Sequence, residues 1–197
     1  MQIIAHRRNT IEDLRQTPKA FGVELDIRSW GNELVVHHDP YIKGESLIAW
    51  LEHYDHQLLI LNVKEEGLEA RLLEIMRSKG IENFFFLDQS LPFLVKFATQ
   101  NESRCAVRIS EYESINTALA FKGLISWVWV DCFSQFPLNA IDTKKLISAG
   151  FKLCIVSPEL HGRYPEKEIP NLRNLLLSHG IQPDAVCTKR PDLWLSI

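Results

Sequence analysis

Short apolar runs alternate with amphipathic segments along the chain, and this alternation predicts a parallel α/β fold. The strand candidates are Gln2–Ala5, Val23–Ile27, Leu34–His37, Leu58–Val63, Phe84–Leu87, Cys105–Ile109, Trp127–Val130, Lys152–Val156 and Ala185–Cys187. Several of these runs are apolar at every position, which is typical of parallel strands that are buried on both faces.

The segments between the strands carry helix signals. The predicted helices are Thr10–Lys19, Ser46–Tyr54, Leu68–Lys79, Leu91–Thr99, Tyr112–Phe121, Asp142–Ala149 and Pro170–His179. Thr10 is a predicted N-cap, with Asp13 three residues further on. Gly150 and Gly180 follow the ends of two helices, where a residue with left-handed backbone is favoured. Each helix is therefore expected to lead directly into the next strand.

Eight strands remain if Leu34–His37 is the return arm of a hairpin around residues 30–32. At about 25 residues per unit, this predicts a compact (β/α)8 TIM barrel over residues 1–197, as a single domain with a small hairpin after strand two. The alternative is an open doubly wound sheet. Such a sheet normally has a glycine-rich phosphate loop after its first strand, where this chain has His6-Arg7-Arg8.

Composition and charge indicate the partners and the cellular compartment of the protein, and say little about its chemistry. A net charge of −3 without lysine or arginine runs predicts no nucleic-acid partner. No apolar stretch approaches the roughly 18 residues of a membrane span, so we expect neither a transmembrane segment nor a signal peptide. The cysteines at positions 105, 132, 154 and 187 lie in or beside apolar runs. They are predicted to be reduced core thiols of a cytoplasmic protein, with zinc binding as the alternative.

Polar residues at the ends of the first two strands indicate chemistry, because TIM-barrel active sites lie at the carboxyl ends of the strands. His6 and Arg7 follow strand one. Glu24 and Asp26 are two residues apart in strand two, so their side chains project to one side. If the odd-numbered residues of this strand face the helices, both carboxylates enter the barrel. Their repulsion and desolvation would then be relieved by a hard divalent cation.

Further polar residues stand at the ends of the other strands: His38, Asn62, Lys64, Asp88, Asp131, Glu159 and Lys189. Together they predict one polar site at the barrel rim. Two alternatives remain at this stage. Glu24 and Asp26 could pair with Arg28 and Arg7 on a surface, or the polar residues at the rim could be ordinary polar loop residues without a shared function. Of the other five histidines, His37 is predicted to point outward as a hydrogen-bonded structural or exposed residue, and those at positions 53, 56, 161 and 179 are predicted to be surface or helix-end residues.

Four segments resemble the opening signature of glycerophosphodiester phosphodiesterases, which are TIM barrels related to phosphatidylinositol-specific phospholipases C. These segments are Ile4–Arg7, Asn9–Glu12, Val23–Ile27 and Leu34–Asp39. The segment Pro183–Leu193 also resembles the last strand and exit turn of that family.

The resemblance implies a role for each residue of the predicted site. It assigns general acid/base chemistry to His6 and His38, phosphate binding to Arg7 and Lys64, and binding of Mg²⁺ or Ca²⁺ to Glu24 and Asp26. We therefore predict a metal-dependent phosphodiester hydrolase that acts on a small or lipid-linked phosphodiester. The alternatives are a non-catalytic binder of phosphorylated or anionic sugars and a phospholipase D-like lyase that forms a cyclic phosphate.

This chain departs from the family pattern in three places. Arg8 alone stands where the family has a glycine and a glutamate before Asn9-Thr10. Asn62 stands where the family has a third metal carboxylate, for which Asp88 or Asp131 is a candidate replacement. Only 23 residues separate His38 from Asn62, which leaves out the insertion that shapes the family's polar-head pocket.

Overall fold

Strands and helices follow the predicted order closely in a computed structural model, which describes residues 1–195. The strands are β1 Gln2–Ala5, β2 Gly22–Trp30, β3 Glu33–Val36, β4 Glu45–Ser46, β5 Leu59–Val63, β6 Phe84–Leu87, β7 Ala106–Ile109, β8 Trp127–Val130, β9 Lys152–Val156 and β10 Ala185–Thr188. The helices are α1 Ile11–Gln16, α2 Leu47–Leu51, α3 Glu69–Ser78, α4 Leu91–Thr99, α5 Ile115–Leu119, α6 Ala140–Ser148, α7 Pro165–Ser178 and α8 Pro191–Leu195, with a 3₁₀ turn at Pro158–His161.

Eight of the strands curl into a barrel in the order β6, β5, β2, β1, β10, β9, β8 and β7. Every neighbouring pair in this series is parallel. Outside the barrel, β3 and β4 extend β2 as an antiparallel hairpin. The predicted TIM-barrel-like α/β fold, with a hairpin after strand two, is confirmed.

The barrel is open along one seam, which the sequence did not predict. A bridge between Phe86 and Cys105 and a 2.8 Å hydrogen bond from Phe86 N to Arg104 O join β6 to the residues that lead into β7. Within residues 1–195, no further strand pairing links these two strands. Beyond this bridge the seam lacks backbone pairing, and the ion pair of Asp88 with Arg108 spans it near the rim.

Two apolar layers explain why the strands are so hydrophobic. The inner layer fills the barrel and includes Ile4, Ile60, and the rings of Phe85 and Trp127, which stack at 4.6 Å between centroids. The outer layer packs the other faces of the strands, including Val23, Leu25 and Ile27, against the helices. Because β2 turns its odd-numbered residues outward, Glu24 and Asp26 point into the barrel, as predicted.

Helix ends follow their local signals, with one correction. Thr10 caps α1 by accepting a 3.0 Å hydrogen bond from Asp13 N. Gly150 and Gly180 adopt φ angles of 92° and 64° after α6 and α7. However, α7 begins at Pro165, five residues before the predicted start at Pro170. Proline favours the first helical turn because its missing N–H has no helical partner there, and Pro165 fills that position. Pro170 lies inside the helix.

The burial of the cysteines and of His56 tests two further predictions. All four cysteines are buried and free, as predicted for core thiols. His56, which was expected at the surface or at a helix end, is instead buried, with its Nε2 3.1 Å from Thr17 O. In the described range 1–195, no helix combines the length and apolar character that a bilayer crossing requires.

Candidate functional site

A cavity of about 250 Å³ opens at the carboxyl ends of the barrel strands. Its polar lining residues are His6, Arg7, Glu24, Asn62, Lys64, Asp88, Arg108, Asp131, His161 and Lys189. Inner-layer side chains such as Trp129 and Val156 also line it. The barrel therefore has an apolar interior with a polar layer at its mouth, and this layer contains most of the residues singled out from the sequence.

Glu24 is the most buried acid of the cavity, with 1% of its surface exposed. Its Oε2 accepts a 2.7 Å hydrogen bond from Arg7 N and lies 3.8 Å from His6 Nε2, while its Oε1 accepts a 2.8 Å bond from Asn62 Nδ2. Burial, together with the nearby charge of Asp26, raises the pKa of Glu24 to about 7. Glu24 thus connects the end of β1 to β5 through one carboxylate.

His6 ends β1 and faces Glu24. Burial, followed by the positive charges of Arg7, Lys189 and Lys64, lowers the pKa of His6 to about 3. The imidazole is therefore neutral near pH 7 and has a nitrogen that can accept a proton. Its buried Nδ1 makes no hydrogen bond to any described residue.

Asp26 follows Glu24 by two residues on β2 and is fully buried. Asn9 holds it twice, because Asn9 Nδ2 donates to Asp26 Oδ2 at 2.8 Å and Asp26 N donates to Asn9 Oδ1 at 3.0 Å. Lys64 Nζ lies 3.2 Å from Asp26 Oδ1, and Arg7 Nε lies 3.5 Å from Oδ2. Of the surface pairing considered for Glu24 and Asp26, only the contact of Asp26 with Arg7 is found: both carboxylates are buried, and Arg28 pairs instead with Glu65, at 3.5 Å.

A chain of alternating charges runs from Lys64 around the rest of the mouth. Lys64 Nζ contacts Asp88 Oδ2 at 3.1 Å, and Arg108 pairs with Asp88 on one side and with Asp131 Oδ2, at 2.9 Å, on the other. Asp131 in turn contacts His161 Nε2. Each of the two aspartates that were predicted as replacement metal ligands thus has two cationic or imidazole partners from the protein.

Sequence reasoning missed two members of this chain. Arg108 is a charged residue two positions after Ala106 in β7, so the period of two along a strand is a signal that its side chain faces inward. His161 was grouped with surface and helix-end histidines. It does end the 3₁₀ turn, but its ring lines the cavity and packs 4.6 Å from the ring of Phe133. No local signal marks this, because Asp131 lies 30 residues away.

His38 lines a neighbouring shallow pocket that also contains Asn9, Thr10 and His37, and not the lining of the His6 cavity. Its Nδ1 lies 2.8 Å from Asp39 Oδ1, and its carbonyl oxygen accepts a 2.8 Å hydrogen bond from Arg28 Nε. Asn9 borders this pocket and also binds Asp26, which pairs with the cavity residues Arg7 and Lys64. The pairing of His6 with His38 in catalysis stays a prediction.

Two rim residues have backbone conformations that non-glycine residues rarely adopt. Arg7 has a φ of 50° and Asp88 a φ of 59°. Each follows the end of a barrel strand, and each contributes a charged group to the cavity. Such conformations are often retained at functional sites, where the surrounding contacts hold them.

The buried oxygens of the site fit a hard divalent cation. Asp26 and Asn62 are lateral partners in the β2–β5 ladder. Asn62 Oδ1 is buried without a hydrogen bond from the described residues, and Asp26 Oδ1 is buried with only the Lys64 ammonium beside it, at 3.2 Å. Carboxylate and amide oxygens are ligands that Mg²⁺ and Ca²⁺ prefer. Within residues 1–195 no three His, Cys, Asp or Glu side chains form a metal-binding group. A cation here would therefore need the amide oxygen of Asn62 beside Glu24 and Asp26.

No protein-family model and no curated protein matches this sequence. Solved structures do match its fold. A glycerophosphodiester phosphodiesterase from Agrobacterium tumefaciens str. C58 superposes with a TM-score of 0.69 at 14% identity, covering 100% of both chains. A glycerophosphoryl diester phosphodiesterase from Parabacteroides distasonis ATCC 8503 gives a TM-score of 0.67 at 14% identity, covering 98% of this chain and 84% of the other. The likeness that the sequence motifs implied is thus found in the fold of the whole described chain.

Proposed function

We propose that this protein is a phosphodiester hydrolase of the glycerophosphodiester phosphodiesterase type. One observation carries the proposal: His6, Arg7, Glu24 and Lys64 line a single cavity at the carboxyl ends of the strands. The solved structures that share this fold are named for cleavage of glycerophosphodiesters. A small or lipid-linked phosphodiester is the substrate class that this cavity and these residue types favour.

The proposed chemistry assigns one task to each group. Arg7 and Lys64 offset the negative charge of the phosphoryl oxygens, which otherwise repels a nucleophile. The neutral imidazole of His6 takes the proton of the attacking water as the new P–O bond forms. His38 gives a proton to the alcohol oxygen as the old P–O bond breaks. If a hydroxyl of the substrate attacks in place of water, the same steps yield a cyclic phosphate.

A bound Mg²⁺ or Ca²⁺ would add Lewis-acid stabilisation of the phosphoryl oxygens. We propose Glu24, Asp26 and the amide oxygen of Asn62 as its protein ligands. The buried Oδ1 of Asn62, which has no hydrogen bond from the described residues, supports this choice, since it lies beside Asp26 in the β2–β5 ladder. Asp88 and Asp131 pair with Lys64, Arg108 and His161, and Asp26 also pairs with Lys64 and Arg7, so a cation at Asp26 would have to displace the Lys64 ammonium from its carboxylate.

A second candidate function is non-catalytic binding of a phosphorylated or anionic sugar. The observation in its favour is that Asn62 supplies no charge where the family has a third carboxylate. A cation would then be held weakly, while Arg7 and Lys64 would still attract an anion.

Hydrolysis of a glycerophosphodiester, measured with Mg²⁺, Ca²⁺ or EDTA and followed by phosphorus NMR, tests the proposal. We expect cation-dependent release of an alcohol and a phosphomonoester. A cyclic phosphate product would indicate the lyase. Binding of inorganic phosphate without cation binding or turnover, measured by isothermal titration calorimetry, would instead support the binder.

A further inference from the structure

Lys189 is a cation of the candidate site that the proposed chemistry does not use. It directly follows β10, as His6 directly follows β1, and these two neighbouring strands are parallel, with Ala5 beside Thr188. His6 N donates a 3.1 Å hydrogen bond to Thr188 O. Lys189 is exposed and lines the same cavity as His6. The fold therefore places this lysine on the rim next to the predicted catalytic imidazole.

The carboxylate of Glu159 fixes the backbone of the turn that contains Lys189. Its Oε1 accepts a 2.9 Å hydrogen bond from Lys189 N and a 2.6 Å bond from Thr188 Oγ1, and its Oε2 accepts a bond from Ser157 Oγ. Thr188 and Ser157 are fully buried, and Ser157 Oγ in turn accepts a 2.7 Å bond from Trp194 Nε1. Glu159 thus holds the main chain at Lys189 and leaves the ammonium of that lysine unengaged.

The other lysine and arginine side chains of the cavity are already paired with carboxylates. These ion pairs are Arg7–Asp26, Lys64–Asp26, Lys64–Asp88, Arg108–Asp88 and Arg108–Asp131. Within residues 1–195, the ammonium of Lys189 forms neither an ion pair nor a hydrogen bond. Lys189 is therefore the cation of this lining whose charge no carboxylate of the described chain offsets by direct contact.

This difference in pairing decides which lysine can bind an anion more readily. An anion at Lys64 competes with Asp26 and Asp88 for the same ammonium, so its binding weakens two ion pairs. An anion at Lys189 disrupts none. An ammonium has three N–H donors, and charge strengthens their hydrogen bonds to phosphate oxygens. Because the backbone at Lys189 is already fixed, only the side chain has to become ordered when the anion binds.

We propose that Lys189 binds an anionic oxygen of the phosphoryl group in the His6 cavity, and that this contact holds phosphate without a divalent cation. The inference rests on the proposed function, because it takes the phosphoryl group of the substrate to lie in this cavity. It goes beyond that function by adding a phosphate-binding residue, after β10, to Arg7 and Lys64, which follow β1 and β5.

Calorimetric titration of the protein with inorganic phosphate in EDTA tests the inference. Because one charge-assisted hydrogen bond is lost, we expect Lys189→Met to weaken phosphate binding by at least ~10-fold. Lys189→Arg, which keeps the charge, should stay within ~3-fold of wild type. Lys122, an exposed lysine without an ion pair between α5 and β8, lies outside the cavity lining. Lys122→Met is therefore the matched control and should bind phosphate as wild type does.

Three results would overturn the inference: no phosphate binding by the wild type in EDTA, an unchanged affinity in Lys189→Met, or a marked loss of thermal stability in that variant. The last result would assign Lys189 to the fold, whereas an ammonium without a protein partner should leave the unfolding temperature unchanged.

The titration needs no turnover, so it separates this inference from the proposed function. If no glycerophosphodiester is hydrolysed, the hydrolase proposal fails, and phosphate binding still decides the role of Lys189. If one is hydrolysed, Lys189→Met should raise KM by ~10-fold, because a phosphoryl oxygen is present in the substrate as well as in the transition state.

Discussion

The two sides of the cavity mouth are built from similar residues, but they differ in how many of their buried polar atoms have a hydrogen-bond partner. On the side of β1, β2 and β5, the buried His6 Nδ1 and Asn62 Oδ1 lack hydrogen-bond partners among the described residues, and Asp26 Oδ1 has only the ion pair with Lys64. On the side of β7, β8 and the 3₁₀ turn, Arg108, Asp131 and His161 contact one another, and none has such a buried atom in the described chain. Unsatisfied buried groups are costly unless a ligand meets them. The first side therefore suits chemistry and the second side suits positioning.

The largest expected effect concerns the two predicted catalytic imidazoles on the first side. We expect His6→Ala and His38→Ala each to lower kcat/KM by ~10²–10⁴-fold, the usual contribution of a general acid or base. His179, exposed after α7, provides a matched control whose alanine variant should retain wild-type activity. Thermal unfolding should show that all three variants fold. Wild-type turnover by a folded His6→Ala or His38→Ala would contradict the assigned role.

The next effect concerns the missing third carboxylate. Asn62→Asp replaces the amide that donates to Glu24 with a carboxylate that repels it, so without cations the variant should be less stable by about 1–3 kcal/mol. With Ca²⁺ or Mg²⁺ the added charge should strengthen cation binding by at least ~10-fold. Calorimetric titration and thermal unfolding with and without EDTA measure both effects. An unchanged cation affinity would argue against a metal centre at this position.

A smaller effect is expected on the second side. Because His161 lines the cavity while its Nε2 contacts Asp131, we expect His161→Ala to raise KM by ~10-fold and to change kcat by less than ~3-fold, as for a residue that positions substrate. Steady-state kinetics on the glycerophosphodiester separate the two constants. A ~10²-fold loss of kcat would instead make His161 a direct participant, and the proposed contrast between the two sides would be wrong.

The smallest effect concerns the loop behind His161. Glu111 accepts hydrogen bonds from Ser134 N at 2.6 Å, from Gln135 N at 2.7 Å and from Phe133 N at 3.2 Å, and Phe133 packs on His161. Although partial burial acts in the opposite direction, these bonds lower the pKa of Glu111 to about 2. Glu111→Gln should therefore cost about 1 kcal/mol of stability, since one accepting oxygen and its charge are lost.

The same pKa sets the pH range of this effect. A carboxylate whose pKa is lowered by folding stabilises the protein above its unfolded value, near 4.5, and this contribution disappears as pH falls through about 2. Denaturant titrations should show a constant difference between wild type and Glu111→Gln above pH 5, and a shrinking one below pH 4. A difference that instead grows toward low pH would contradict the proposed bonds.

The predictions that the structure confirms rest on patterns among residues that are close together in the sequence. Apolar runs defined eight barrel strands and the hairpin, because burial on both faces of a parallel strand leaves few polar positions. The two-residue period along β2 correctly predicted that the side chains of Glu24 and Asp26 point inward. These are local consequences of backbone geometry, so they hold wherever the strand lies in the fold.

Only the tertiary structure decided how distant segments meet. The contact of His161 with Asp131, the branching of Arg108 between two aspartates, and the open seam between β6 and β7 depend on how strands far apart in the chain are arranged around the barrel. The same arrangement places His6 and His38 in separate pockets, whose linings share no residue. Sequence determined which side chains point inward, since strand periodicity is local. Barrel closure determined which of them touch, because that depends on the packing of the whole chain.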